Sequence, residues 1–273
     1  MKLNQPNQKL TNQQLDIIEY DLNHTGFHII ENVISPSEAD HTRRVSLKLA
    51  EKDLMTGRDY GYADGKCRRV WAIVGKDPIF RRLIQHPTVI DVWQHILGND
   101  VVASTFTVNI VYPGAENGGW HVDYPYWAMQ PPFPSGALTG QTIWMLDDFT
   151  TSNGATACIK GSHQKSSPPN TDQIDQMEKA FAVAPKGSVM LTNGAIWHQS
   201  TANRTEKLRV GLLGMYNRSV ILPQEDMPSQ MTDTELENES DLLKQLLGRR
   251  LDYRDPDSGQ VRQRTATGFR PRS

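Results

Sequence analysis

Hydrophobic positions in the first hundred residues recur at helical spacing. Leu15, Ile18 and Leu22 follow one another at intervals of three or four residues, which indicates an amphipathic helix that ends before Gly26. Helices are predicted at 10–24, 35–54, 78–85 and 88–97. The second begins with Ser35, Pro36 and Glu38, the residue types of a capped helix N-terminus. Residues 1–10 are polar, and we expect them to be frayed.

From Asp100 onward the pattern changes to short runs rich in β-branched residues, separated by turn residues. Strands are predicted at 27–34, 101–113, 119–125, 139–149, 155–160, 180–184, 187–192, 195–201 and 207–217. Many short strands without alternating helices are typical of an antiparallel sandwich, jelly roll or barrel. The fold class expected is mainly β, with flanking helices.

The chain shows no internal repeat and no Gly/Ser-rich linker, so one domain is expected over 1–273. Within it we expect a helical N-terminal support over 1–99, a β core over 100–220, and a C-terminal helix and tail over 221–273. A helix is predicted near 234–248. For the polar tail that follows, two alternatives stay open: partial disorder, or packing on a second subunit in a homodimer.

Composition narrows the functional classes. The 273 residues are 37% hydrophobic and carry a net charge of −2, so the chain can build a core and has no basic field for nucleic acid. No stretch approaches the ~18 apolar residues of a membrane span, and no membrane partner is expected. Two cysteines are too few for a disulfide scaffold, which favours a reducing compartment. We therefore expect a cytoplasmic protein with a small-molecule substrate.

One short segment, around His121 and Asp123, carries candidate metal chemistry. These residues are two apart on a predicted strand, so both side chains are expected on one face. A second imidazole would complete a two-histidine, one-carboxylate site, which is typical of non-haem Fe(II) enzymes. The pair alone is weak, because chance produces a His-x-Asp pair in a chain of this composition.

A later segment supplies the context. His198 ends a predicted strand, and Arg209 follows eleven residues later in the last strand of the core. If Arg209 is buried it needs an anionic partner, and a bidentate carboxylate fits a guanidinium best. The alternation of that strand alone leaves open that Arg209 points outward into solvent.

Four elements together resemble the phytanoyl-CoA dioxygenase-like family of iron(II)/2-oxoglutarate-dependent oxygenases. They are His121-Val-Asp123, the turn 153–155 that leads to Gly161-Ser162-His163, His198 with Ser200, and Arg209. Their order and spacing match over residues 100–218. The resemblance implies a double-stranded β-helix, or jelly-roll, core against which the N-terminal helices pack.

The resemblance also assigns roles. It implies that His121, Asp123 and His198 bind Fe(II), and that Arg209 and Ser200 hold the distal carboxylate of 2-oxoglutarate. Asn109 and Trp144 are placed as further co-substrate contacts. The implied cofactors are Fe(II), 2-oxoglutarate and O2, with ascorbate as a candidate reductant.

The implied reaction is hydroxylation of an unactivated C–H bond in a small metabolite. Succinate and CO2 are formed from 2-oxoglutarate. Asp123 supports oxygenation, since related halogenases have Gly or Ala at that position. The same cofactors also support desaturation, epoxidation or ring formation. A jelly-roll protein that binds metal, or hydrolyses its substrate, without O2 is the alternative from a different class.

Three further sets of residues allow two interpretations each. The aromatic run Tyr124, Tyr126, Trp127 and Phe133 follows Asp123 and is predicted to form a substrate-binding wall, although it also fits a packed loop. His163 competes as a metal ligand but lies in a turn, where histidines more often bond the backbone. The basic cluster 66–69 is predicted to be a solvated face, with an anionic-substrate contact as the alternative.

Overall fold

The computed structural model describes residues 1–58, 60–62, 65–249, 252–254, 261–265 and 268–271. Its helices are α1 Asn12–His24, α2 Pro36–Met55, α3 Pro78–Ile84, α4 Pro87–Leu97, α5 Thr171–Ile174, α6 Asp233–Leu236 and α7 Asp241–Leu246. The four predicted N-terminal helices are confirmed. The Ser35 hydroxyl caps α2 by accepting the Glu38 amide at 3.2 Å, and Thr11 forms a capping box at the start of α1.

Ten strands precede the C-terminal segment. They are β1 Phe27–Ile30, β2 Tyr60–Tyr62, β3 Cys67–Val70, β4 Val102–Val111, β5 Thr139–Met145, β6 Thr156–Ile159, β7 Lys179–Phe181, β8 Val189–Asn193, β9 His198–Ser200 and β10 Arg209–Asn217. Seven of them form one antiparallel sheet in the order β1-β8-β5-β10-β4-β3-β2. The smaller antiparallel sheet has the order β7-β6-β9. The expected mainly-β fold is confirmed.

The large sheet is buried on both faces, and strand alternation decides what each face meets. On β4, Phe106 and Val108 belong to the apolar core shared with α3 and α4. Thr105, Thr107 and Asn109 alternate with them and therefore point to the opposite face. A second apolar cluster joins Ile143, Met145 and Met190 of the large sheet to Cys158 of the small one, which shows that the two sheets pack face to face.

The N-terminal end is ordered, and the prediction that it is frayed is wrong. The Leu3 amide donates to the Glu31 carbonyl at 3.0 Å, and the Glu31 amide donates to the Met1 carbonyl at 2.7 Å. The Leu3 side chain is only 2% exposed. These contacts add the first residues to the end of β1, a tertiary pairing that local polarity does not reveal.

Two other expectations are corrected. Strands β2 and β3 join the large sheet from within the first hundred residues, where the pattern predicts helical support. The single helix expected near 234–248 is interrupted. Helix α6 ends at Leu236 and α7 begins at Asp241, where the Ser240 hydroxyl caps it by accepting the Leu243 amide at 2.9 Å.

In the C-terminal tail, strands β11 Asp252–Arg254, β12 Val261–Thr265 and β13 Gly268–Pro271 form a three-stranded antiparallel sheet. The predicted alternatives of disorder or a second subunit concern tail residues that in part lie outside the described ones. Among the helices that are described, none combines the length and apolar character needed to span a membrane.

Candidate metal centre

Two chain segments bring the three predicted metal ligands together. The backbones of His121 and His198 exchange two hydrogen bonds, each of 3.0 Å. Two residues later, the Asp123 amide donates to the Gly194 carbonyl at 2.9 Å. The predicted strand 119–125 is not formed, because this backbone pairs with β9 only at the isolated bridge of His121. That bridge still fixes both segments at the metal-binding position.

Hydrogen bonds determine which ring nitrogens face one another. The Nδ1 atom of His121 lies 2.8 Å from the Gly119 carbonyl, and Nδ1 of His198 lies 3.0 Å from the Ile196 carbonyl. A carbonyl oxygen only accepts, so both Nδ1 atoms carry hydrogen and donate. In the neutral rings both Nε2 atoms therefore keep a free electron pair. The His198 Nε2 atom is 3.7 Å from the Asp123 Oδ1 atom.

The donor set fits a divalent transition metal. One ligand atom from each of His121, Asp123 and His198 lies within 4.8 Å of the other two. Electrostatic interaction with the neighbouring His198, followed by burial, lowers the pKa of His121 to about 4, so the His121 imidazole is neutral at physiological pH. Two neutral imidazoles and one carboxylate are the ligands of a non-haem Fe(II) facial triad.

Arg209 faces the same cavity, so the alternative that it points outward is wrong. Its side chain is buried, with 2% of the residue exposed. The Nη1 atom donates to Asn109 Oδ1 at 3.0 Å, the Nη2 atom donates to the Gly154 carbonyl, and the guanidinium lies 4.6 Å from the centre of the Phe149 ring. These contacts hold a permanent positive charge beside the triad.

The triad and Arg209 line one cavity of about 420 Å³. Asn109 and Ser200, predicted as co-substrate contacts, line it as well. From the aromatic run, Tyr124 and Trp127 reach the cavity, and their ring centres are 5.9 Å apart. Most of the predicted site residues are therefore brought together.

Three predicted site residues are placed elsewhere. Trp144 lies on the opposite face of β5, fully buried against the helices and edge-on to His86, and its neighbour Ile143 lines the cavity instead. Tyr126 and Phe133 are buried away from the cavity and pack against each other, with their ring centres 5.3 Å apart. The Tyr126 hydroxyl accepts the Leu138 amide at 2.8 Å, so this part of the run is a packed loop.

Arg69 and Gln141 are among the cavity residues that the sequence does not assign to the predicted site. Arg69 of β3 lines the cavity, contrary to the prediction of a solvated face for 66–69, and its Nη1 atom donates to Thr107 Oγ1 at 3.3 Å. Gln141 of β5 lines it too and donates to Asp123. Alternation along a strand could indicate which way the Arg69 side chain points, but the sequence pattern does not predict β3.

His163 is outside the metal centre, as its position in a turn predicts. Its Nε2 atom donates to the Asn23 carbonyl at 3.0 Å. Among the described residues, the cluster of potential ligands at the cavity contains His121, Asp123 and His198, without His163.

Comparison with known proteins now tests the resemblance. The family model of phytanoyl-CoA dioxygenase (PhyH) matches residues 22–211, which is most of the chain and includes the triad and Arg209. The chain belongs to the phytanoyl-CoA dioxygenase family. Solved structures that resemble this family member include the non-haem alpha-ketoglutarate-dependent epimerase SnoN from nogalamycin biosynthesis. It has a TM-score of 0.64 and 16% identity and covers 78% of this chain and 87% of its own. This likeness confirms the double-stranded β-helix fold.

Curated relatives of this family member have diverse names. Dioxygenase af480 of Aspergillus fumigatus is 29% identical over 66% of this chain, which spans only 58% of that relative's length. Ectoine dioxygenase of Nocardia farcinica is 22% identical over 75% of this chain and 77% of its own. An uncharacterised Mycobacterium tuberculosis protein, Rv1501, is 23% identical over 87% of this chain and 88% of its own. These relatives support the family and leave the substrate open.

Proposed function

We propose that this protein is an Fe(II)/2-oxoglutarate-dependent dioxygenase that hydroxylates an unactivated C–H bond of a small metabolite. The observation that carries this proposal is the shared cavity: the His121, Asp123 and His198 ligands face the same space as the buried Arg209. Membership of the phytanoyl-CoA dioxygenase family supports the dioxygenase class.

The three ligands would hold Fe(II) through His121 Nε2, His198 Nε2 and an Asp123 oxygen. When bound, the iron couples oxidative decarboxylation of 2-oxoglutarate by O2 to oxidation of the substrate, which gives succinate, CO2 and the hydroxylated product. The protein would supply these three ligands, and a set of this kind would leave coordination positions open for the reactants.

The charges in the cavity suit a dicarboxylate. Arg209, with Ser200 beside it, would bind the distal carboxylate of 2-oxoglutarate as a charge-assisted hydrogen-bonded pair. Arg69 places a second guanidinium in the same cavity. Since 2-oxoglutarate carries two carboxylates, the two guanidiniums and the metal would attract both ends of it.

Cavity size supports a small substrate. A volume of about 420 Å³ is near the lower end of the ~300–1,000 Å³ typical of small-molecule sites, and 2-oxoglutarate would fill part of it. Tyr124 and Trp127 would then close over the remaining space and exclude water from the reacting C–H bond.

A second candidate keeps the cofactors and changes the outcome. Two similar structures are named as an epimerase and a carbocyclase, SnoN and SnoK, with TM-scores of 0.64 and 0.61. These names favour ring formation or another oxidation without net hydroxylation as the alternative. Product analysis by mass spectrometry separates the two, because hydroxylation adds one oxygen atom derived from O2.

The test of the cofactor class needs no known substrate. Anaerobic addition of Fe(II) and 2-oxoglutarate should produce the visible charge-transfer absorption of a chelated 2-oxo acid, and admission of air should yield succinate. The His198→Ala variant is the control and should show neither signal. Metal binding by the wild-type protein without this absorption or succinate would favour the metal-binding or hydrolytic alternative.

A further inference from the structure

The Asp123 carboxylate has a buried hydrogen-bond partner within the cavity wall. The Gln141 Nε2 atom lies 2.6 Å from Asp123 Oδ2, and the two residues are only 7% and 8% exposed. An ionised carboxylate only accepts hydrogen bonds, so the Gln141 amide must present its nitrogen to Asp123 and not its oxygen. The bond is charge-assisted and shielded from water, which makes it strong.

The surroundings of Gln141 show that this bond determines its place. Its cross-strand partner on β10 is Met215, and the next pair along the same face is Ile143 with Leu213. These three neighbours line the cavity with it and are apolar. A polar amide at this position is costly unless it is hydrogen-bonded, and Asp123 provides the bond.

The bond also distinguishes the two oxygens of Asp123. Oδ2 accepts from Gln141, whereas Oδ1 lies 3.7 Å from His198 Nε2 at the metal-binding position. Rotation of the carboxylate that brought both oxygens to a metal would break the bond to Gln141. Backbone contacts do not prevent that rotation, because they act on the Asp123 main chain.

We propose that Gln141 is a positioning residue that makes Asp123 a one-oxygen metal ligand. This inference rests on the proposed function, in which the remaining coordination positions must accept a chelating 2-oxo acid and O2. Partners that orient metal ligands in this way commonly change metal affinity by about 10- to 100-fold when removed. The contact that carries this role is the bond from the Gln141 amide to the Asp123 carboxylate.

The test compares the full-length wild-type protein with Gln141→Met, which keeps the length and volume of the side chain and removes the donor. Calorimetric titration with Co(II) and Mn(II) should show a 10- to 100-fold larger dissociation constant for Gln141→Met, which means weaker metal binding. The visible absorption of the Co(II)-loaded variant should also change, because a carboxylate that binds through both oxygens alters the ligand field of the metal. Gln224→Leu is the matched control, since Gln224 lines the same cavity but is exposed to solvent.

Several outcomes are decisive. Equal Co(II) affinity and an unchanged spectrum in Gln141→Met would overturn the positioning role while leaving the proposed function intact. Absence of Co(II) and Mn(II) binding in the wild-type protein would overturn the proposed function itself. Thermal unfolding of the metal-free proteins identifies a general folding defect, and should Gln141→Met fail to fold, Gln141→Leu replaces it in the same titrations.

Discussion

At the scale of single residues, a hydrogen bond from Nδ1 to a backbone carbonyl orients each histidine of the predicted triad. The carbonyls of Gly119 and Ile196 accept the Nδ1 hydrogens of His121 and His198, which leaves both Nε2 atoms as electron-pair donors. The rings cannot turn over without losing these bonds. Preorganisation of this kind would help the three predicted ligands to hold a metal, although His121 and Asp123 lie outside the regular strands.

Removal of one ligand tests the assignment directly. The variants His121→Ala, Asp123→Ala and His198→Ala should each lose stoichiometric Fe(II) and all 2-oxoglutarate turnover, because two ligands hold the metal poorly at an open site. His163→Ala should retain iron, since that ring bonds the Asn23 carbonyl. Metal analysis after desalting is the measurement, and iron lost from His163→Ala but kept by His198→Ala would contradict the assignment.

Arg209 should control the affinity for the co-substrate. Truncation of one partner of a buried charge pair typically costs ~2–5 kcal/mol, so Arg209→Ala should raise the KM for 2-oxoglutarate by roughly 30-fold or more. Arg209→Lys should recover part of the loss, because an ammonium lacks the planar two-point contact. Arg204→Ala is the control, since Arg204 pairs with Glu116 at the surface. An unchanged KM in Arg209→Ala would argue against the clamp.

The second guanidinium gives a separate prediction. Arg69→Met should raise the KM for 2-oxoglutarate roughly tenfold, which corresponds to ~1.4 kcal/mol, because the cavity loses a positive charge that faces the dianion. The same substitution at the neighbouring Arg68 is the control, since Arg68 lies over the Tyr112 ring and does not line the cavity. Steady-state kinetics at saturating iron measures both variants, and equal effects of the two substitutions would exclude a specific role for Arg69.

At the scale of elements, strand register decides which residues enter the site. The sequence predicts β5 as a strand, yet only the observed register shows that Gln141 and Ile143 face the cavity while Trp144 faces the helices. A shift of one residue exchanges the two faces, and local pattern cannot choose between faces that are both buried. The placement of Trp144 away from the cavity and the omission of Gln141 have this common cause.

The triad shows the opposite case. The proximity of His121 and Asp123 to His198 could be predicted although the strand expected around them does not form, because the motif and its spacing to His198 and Arg209 carry the information. The place of Arg69 on a strand could not be predicted, since β3 lies in a polar stretch whose strand character comes from pairing with β4. Tertiary pairing, absent from local sequence, accounts for the missed residues.

The loop after Asp123 divides into a packed part and a cavity part, which makes Trp127 a test of closure. Trp127 is 60% exposed and contacts Tyr124, whereas Tyr126 is buried. Trp127→Ala should uncouple the reaction, so that the ratio of succinate to oxidised substrate rises above one as water reaches the site. Tyr20→Ala removes an equally exposed aromatic ring from α1 and should leave the ratio unchanged. A ratio of succinate to oxidised substrate near one in Trp127→Ala would mean that the Trp127 ring contributes only packing.

At the scale of the whole molecule, the helices close one face of the large sheet so that the other face can hold polar chemistry. Trp93 of α4 donates from its indole nitrogen to Thr142 Oγ1 at 2.8 Å, and His86 packs edge-on to Trp144. Both contacts hold β5 on the face that is turned away from the cavity. The polar residues of the cavity therefore stand on a strand whose opposite face is anchored in the main core.

His86 makes this anchoring sensitive to pH. Burial, with a smaller effect of the Arg82 charge, lowers its pKa to about 4 from 6.5. The unfolded chain then binds more protons than the folded one between these values, so the free energy of unfolding should fall as pH decreases from 6.5 towards 4. Above pH 6.5 this contribution is constant. The total decrease is ~3 kcal/mol by the usual 1.36 kcal/mol per pKa unit.

Chemical denaturation of metal-free wild type and His86→Gln across this pH range measures the effect. The glutamine amide can still donate to Asn7 Oδ1, the partner of His86 Nε2 at 2.8 Å, but it does not titrate. The loss of stability on acidification should therefore be smaller in His86→Gln by about the same ~3 kcal/mol, whatever the other titrating groups contribute to both proteins. Parallel curves for the two proteins would mean that the His86 imidazole is protonated in the folded state without cost.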